Sequence, residues 1–501
     1  MGERLSARDL VFLTSETPTS PRHNATIEVF DPGTSGFDHE TLTQLIGDRI
    51  AFVPRYRQRV RWVPGHIANP VWVDDPRFDL AYHVRRSALP RPGSLEQLRD
   101  LVGRIVSRPL DRHRPLWEVY FVEGLEDGRV AVLTKSHQAL VDGVQIVDLA
   151  QVLLDRTPEQ RELGSDEWRA ERQTSPTGLL AEAVRDSVAA PLTAVDTVRG
   201  VADSWVRSAD AATRKVTTFA NTLAGRRSEQ DSPIGGTLSQ QRRFETVRRS
   251  LAEHRAVRDA HGGTVNDVVL ATVTGGLRSW LMTRAESLGG LRQVRAVVPM
   301  SVHDPELEPT SVGSQIEPHF VDLPVGEPSP VVRLHQVSYS LKAHKETGRA
   351  VAADRIAGIS GFAPSTFHAI GSRVAAAEMR RGFQLSVTNV PGPQSPLYAA
   401  GAVMEQTYPV PPLLPGHALA VGVTSYDGSV FYGITADRDL VPDAETFAAC
   451  LGEALDELLD TAGDSRPKVP RGRARKPART SARTSAQKSA QKSARKPSST
   501  S

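Results

Sequence analysis

A single cysteine, Cys450, stands in 501 residues, so the chain offers no intramolecular disulfide, no C-x-x-C redox pair and no thiolate zinc site. No uncharged apolar run reaches the length of a membrane span, and mean hydropathy is -0.31, so no spanning helix is expected. The opening MGERLSARDLVFL has an acid at its third position and only a short apolar patch, which does not read as a secretory signal. Its first six residues fit the short pattern M-G-x-x-x-S, but the expectation is an unmodified cytoplasmic protein. Common catalytic signatures are missing as well. There is no G-x-S-x-G elbow, no phosphate-binding G-x-x-x-x-G-K-[ST] and no H-E-x-x-H. The 14 histidines are scattered, so neither a metal nor a cofactor is expected.

What is present is ordinary globular composition, with 39% hydrophobic residues, in a chain long enough for two cores. Charge is unevenly placed. Of the 61 basic residues, 12 lie between Arg466 and Ser501, where there is no acid, so the body carries 49 bases against 58 acids. The terminal stretch repeats RTSA, RTSA, QKSA and QKSA and has no aromatic residue, so it cannot build a core of its own. Its charge suits either a solubilising tail or loose attachment to an anionic membrane or lipid-droplet surface, with non-specific chromosome binding a third reading. Without aromatic stacking platforms, sequence-specific nucleic-acid recognition is not expected.

In the body, Leu116–Val122 and Val130–Thr134 read as strands around the hairpin signal Glu126-Asp127-Gly128. The second strand is expected to end near Lys135, with a turn over 136–143 and a helix after it. An amphipathic stretch from Leu180 to Trp205, interrupted at Pro191, reads as a crossover helix, and the Gly-rich run 225–236 as a linker. Beyond it come a helix over Val265–Leu281, strands at Val294–Val298 and Phe383–Thr388, a hairpin around Tyr426-Asp427-Gly428 and a helix over Asp443–Leu459. Mixed strands and helices in each half predict an α/β fold.

The segment Lys135-Ser-His-Gln-Ala-Leu-Val-Asp-Gly143 places His137 at the end of an apolar strand beside an Asp-Gly turn. A lone histidine is more often structural than catalytic, but this one keeps company. It resembles the H-H-x-x-x-D-G motif of the bacterial wax ester synthase/diacylglycerol acyltransferase family, a branch of the CoA-dependent acyltransferases. Pro109–Glu118 is similar to that family's P-L-W block, Asn266-Asp267 to its N-D motif, and Thr388-Asn-Val-Pro-Gly-Pro393 and Ser425–Gly428 to later blocks.

The resemblance implies two chloramphenicol-acetyltransferase-like halves, mixed sheets flanked by helices with a channel between them. It divides the chain into an N-terminal half at 1–165, a helical crossover and linker at 166–240, a C-terminal half at 241–462 and a disordered basic tail at 463–501. It implies O-acyl transfer from a long-chain acyl-CoA, as substrate rather than cofactor, to diacylglycerol or a long-chain alcohol. An alcohol attacks a thioester efficiently only when a base removes its proton, and the family's second motif histidine would be that base. Here His137 holds the first motif position and Gln138 the second, while Asp142 and Gly143 complete the loop. A glutamine amide cannot take up a proton near neutral pH. The sequence therefore admits an acyltransferase with His137, Gln138 and Asp142 at its centre, His137 itself turning inward as base, or a homologue that binds acyl-CoA or lipid without turnover. Trp117, Asn266, Asp267, Asn389 and Gly143 are candidates for substrate contact or for structure. Trp117 reads as core, and Asn266-Asp267 equally as a helix cap.

Overall fold

The computed structural model describes residues 3–66, 68–140, 153–160, 168–170, 175, 177–179, 181, 185, 232, 234–284, 292–301, 316–345 and 382–464. The expected helix after Gly143, nearly all of the 180–205 stretch, most of the linker, and the basic tail from 465 onward lie outside the described residues.

In the first half, strands β1 (His23–Asp31), β2 (Gln58–Arg61), β3 (Val71–Asp74), β4 (Val84–Ala88), β5 (Trp117–Glu123) and β6 (Val130–His137) alternate with helices α1 (Ala7–Ser15), α2 (His39–Arg49), α3 (Leu80–His83) and α4 (Leu95–Val106). The β5–β6 pair forms as its sequence predicts, antiparallel with Trp117 opposite Ser136. Its turn places Asp127 at φ 62° and Gly128 at φ 73°, a left-handed pair that short Asp and Gly side chains tolerate. β6 does not stop near Lys135, however. It continues to His137 because β1 pairs with it over the whole length, His23 facing His137.

Helix α4 opens with a Ser94/Gln97 capping box and ends against β1 and β6. There the His23 ring meets the Val106 carbonyl at 2.9 Å, and the Lys135 ammonium donates to the Ile105 carbonyl at 3.3 Å. Such groups suit the last carbonyls of a helix. Burial draws the Lys135 ammonium down to about 8, with Glu118 at 3.8 Å pulling the other way.

The second half contains β7 (Arg242–Ser250), α5 (Leu251–His261), α6 (Val265–Thr283), β8 (Val294–Ser301), β9 (Ile316–Leu323), α7 (Pro330–Lys345), β10 (Leu385–Pro391), β11 (Tyr398–Ala399), β12 (Ala402–Val410), β13 (Leu419–Tyr426), β14 (Ser429–Asp437) and α8 (Ala444–Asp464). Two six-stranded sheets result, ordered β11-β12-β1-β6-β5-β4 and β7-β14-β13-β10-β8-β9, each mixing parallel and antiparallel pairs. The mixed α/β architecture expected from the sequence is present. β10 runs on through Asn389, past the stop expected after Thr388, because Asn389 pairs with Val423 of β13.

The sheets are not cut at the boundary between sequence halves. β12, from the second half of the chain, pairs antiparallel with β1 and extends the first sheet. Its Pro409 presses on the second sheet, where a Cβ on Gly433 would stand 1.8 Å from the Pro409 carbonyl oxygen. Only glycine admits that approach.

Candidate active site

The chain turns as β6 ends. His137 N–H donates to the Leu116 carbonyl at 2.9 Å, Gln138 N–H to the Arg22 carbonyl at 2.8 Å, and Leu140 N–H to the His137 carbonyl at 2.9 Å. The Ala139 N–H donates to Nδ1 of His137 at 3.0 Å. Since Nδ1 accepts, a neutral His137 carries its proton on Nε2. That nitrogen lies 3.6 Å from Oε2 of Glu16.

Glu16 gathers several charges and dipoles. Its Oε1 accepts the Arg22 N–H at 3.1 Å, and its Oε2 accepts Nε of Arg112 at 2.8 Å with Arg112 Nη2 closer still. Burial alone would raise this carboxyl, but His137 and Arg112 together hold it down at about 2. Burial pushes His137 below its ordinary value despite Glu16. The ring is therefore neutral at physiological pH, with one nitrogen engaged by the backbone and the other facing a carboxylate. It is built to hold the turn.

Gln138 follows, with none of its surface exposed, and neither Oε1 nor Nε2 finds a hydrogen-bond partner. Buried amides ordinarily have partners, and among the described residues this one has none. The register of β1 and β6 sets Asn24 opposite Ser136, and one residue past the end of the ladder the Gln138 N–H donates to the Arg22 carbonyl. Asp142 and Gly143 lie outside the described residues.

Trp117 is fully buried, stacks on His83 with ring centroids 4.5 Å apart, and donates from Nε1 to the Tyr56 carbonyl at 2.7 Å. Those contacts make it a core residue beneath the site. In the second half, Nδ2 of Asn389 on β10 donates to Oδ1 of Asn266 in the first turn of α6 at 2.8 Å. Asp267 is a cap. Its carboxylate accepts the Thr264 N–H at 2.9 Å and the Ser338 hydroxyl at 2.9 Å, while its own N–H donates to the Thr264 hydroxyl. The structure thus joins His137 with Gln138, and Asn266 with Asn389.

Glu16, Arg22 and Arg112 were not singled out from sequence. Each sits in a polar stretch and looks solvated in sequence; in the structure the Glu16 carboxylate and Arg22 are covered, while Arg112 reaches Glu16 from the exposed side. Among the described residues, no three His, Cys, Asp or Glu side chains are grouped to hold a metal ion, and no helix is long and apolar enough to cross a membrane.

The chain matches the wax ester synthase/diacylglycerol acyltransferase catalytic domain over residues 5–269 and the WS/DGAT C-terminal domain over residues 312–459. One relative, named a probable diacylglycerol O-acyltransferase of Mycobacterium tuberculosis, is 41% identical over 52% of this chain and 96% of that protein. A second of that description from the same organism is 32% identical over 87% of this chain and 91% of that protein. The solved wax ester synthase/diacylglycerol acyltransferase from Marinobacter aquaeolei VT8 superposes with a TM-score of 0.64 at 26% identity, covering 92% of this chain and 100% of that one. The first condensation domain of the calcium-dependent antibiotic synthetase shares the fold, with a TM-score of 0.51 at 17% identity over 93% of this chain and 96% of that one.

Proposed function

The chain belongs to the wax ester synthase/diacylglycerol acyltransferase family, and from that premise we propose that it transfers the acyl group of a long-chain acyl-CoA to the hydroxyl of a diacylglycerol or long-chain alcohol at the tip of β6. The observation that carries the placement is Gln138, whose buried, unpartnered amide occupies the second position of the motif. The hydroxyl oxygen attacks the thioester carbonyl carbon, the C–S bond breaks, and the hydroxyl proton ends on the departing CoA sulfur. The thioester supplies the activation, so the reaction calls for no cofactor.

Gln138 cannot act as the base. Its amide can donate through Nε2 to the carbonyl oxygen as negative charge develops, and accept through Oε1 from the attacking hydroxyl. His137 holds the turn through Ala139 and Glu16, with Asp142 and Gly143 in the same loop. The Asn266–Asn389 pair is the contribution of the second half, across a channel between the two. We keep 1–165, 166–240 and 241–462 as the proposed division of the chain, with β12 of the last part crossing back to complete the first sheet. The basic tail is expected from 463, but α8 runs to Asp464, so the tail proposed to make peripheral contact with an anionic membrane or lipid-droplet surface at the cytoplasmic side is the stretch after it, each basic residue adding about 1 kcal/mol near such a surface.

The test is Gln138→His, with CoA release followed from palmitoyl-CoA plus dioleoylglycerol. Restoring a base is expected to raise turnover by about 10²-fold or more. Saturable palmitoyl-CoA binding with no release from either form would instead make the chain a lipid-binding homologue without turnover.

A further inference from the structure

Three buried polar residues stand at the end of the β1–β6 ladder. Antiparallel residues directly opposite each other project to the same face, and diagonal neighbours two residues on are within reach of long side chains. Asn24 faces Ser136 within the ladder, and one residue past its end the Gln138 N–H donates to the Arg22 carbonyl at 2.8 Å, so Arg22, Asn24 and Gln138 are brought to the same end of the strand pair. They are 4%, 7% and 0% exposed. Nε and Nη1 of Arg22, both amide atoms of Asn24 and both amide atoms of Gln138 have no hydrogen-bond partner among the described residues.

The charge there is also unbalanced. Among the described residues two guanidiniums, buried Arg22 and half-exposed Arg112, stand against the carboxylate of Glu16, which Arg112 already engages in a close pair. His137 and His23 are both held below their ordinary values by burial, so they add no charge at neutral pH. A buried guanidinium without a close carboxylate calls for an anion, and the two amides offer donors to an oxyanion together with carbonyl acceptors for a hydroxyl.

We propose that Arg22, Asn24 and Gln138 form a binding site for an oxyacid group, a carboxylate or a phosphate, carried next to the hydroxyl of a further class of acceptor beside the neutral diacylglycerol and long-chain alcohol. The acyl-transfer reading supplies only the identity of the molecule as acceptor; the anion site itself rests on the side chains. The acid seats against Arg22, and the neighbouring hydroxyl lies between the amides of Asn24 and Gln138. An acidic acceptor of this kind is a hydroxy fatty acid or a lysophospholipid of the glycerol phosphate type.

Equilibrium binding to the full-length protein is measured with two matched pairs below their micelle concentrations. These are 3-hydroxyhexadecanoate against its methyl ester, and 1-oleoylglycerol 3-phosphate against 1-oleoylglycerol. At least one acid is expected to bind about tenfold or more tightly than its neutral partner, the scale of one charge-assisted hydrogen bond, and the preferred pair identifies the oxyacid. Asn24→Asp keeps the side chain's shape while placing a carboxylate beside Arg22, and Arg22→Gln removes the charge. In both, the acid-to-neutral preference is expected to fall to about one. Equal binding within both pairs overturns the proposal, and so does a preference that survives Asn24→Asp. If Arg22→Gln weakens palmitoyl-CoA but spares palmitoyl-pantetheine, the charge serves the phosphates of CoA and the proposal fails. Selective binding of an acid by a protein that acylates neither it nor dioleoylglycerol nor hexadecanol would leave the site standing and refute the transfer reading alone.

Discussion

Replacing Glu16 with glutamine removes the one carboxylate shared by Arg112, His137 and the Arg22 backbone while keeping the side chain's volume. The carboxyl sits at about 2 against an ordinary 4.5, a gap of about 2.5 pH units. At about 1.36 kcal/mol per unit this amounts to about 3 kcal/mol of stability near neutral pH. Because the folded value is the lower one, that stability is fully present above pH 4.5 and is lost as the pH falls toward 2. The gap between wild type and Glu16→Gln should accordingly be about 3 kcal/mol at pH 7 and shrink to about 1 kcal/mol at pH 3. Urea unfolding at both pH values, with equal m-values checked first, measures it. A variant within about 0.5 kcal/mol of wild type at pH 7, the scatter of ordinary surface substitutions, would refute the cluster's weight. A gap of equal size at both pH values would refute its electrostatic origin.

His137→Asn retains an oxygen that can accept the Ala139 N–H, so its turnover is expected within about tenfold of wild type, whereas a lost general base would reduce it by about 10²–10⁴-fold. Steady-state CoA release separates the two. Gly433→Ala places a methyl against the Pro409 carbonyl oxygen where β12 meets the second sheet, and the backbone on both sides leaves little room to relax. A loss of about 3 kcal/mol, the upper end of overpacking effects, should appear as a lower Tm, and an unchanged melt would contradict the described contact.

The elements legible in the sequence are those whose pattern is local. The β5–β6 hairpin, α6 with its Thr264 and Asp267 cap, and the β13–β14 hairpin around Asp427-Gly428 are each written in consecutive residues. Pairings between distant segments leave no such mark. Nothing in Ala402–Val410 indicates that it will lie beside His23–Asp31, nearly four hundred residues earlier, and the extension of β6 to His137 depends on that same β1.

The site divides in the same way. His137 and Gln138 stand out because a motif surrounds them, and Asp267 is visible as a cap from its spacing to Thr264. Glu16, Arg22 and Asn24 acquire their burial only through the β1–β6 ladder, so no short window of sequence reveals them. At the end of β6 the His137 ring meets Glu16, while Gln138, the first residue of the turn, is buried and does not join that contact. That is why neighbouring residues of one motif do different work.

The most direct test of acyl transfer at the tip of β6 is CoA release from palmitoyl-CoA by the purified full-length chain, with and without dioleoylglycerol or hexadecanol, beside a Gln138→Leu variant. The account predicts slow release that requires the acceptor, yields an ester and falls in the variant. Release that needs no acceptor, or that proceeds equally in Gln138→Leu, would contradict it.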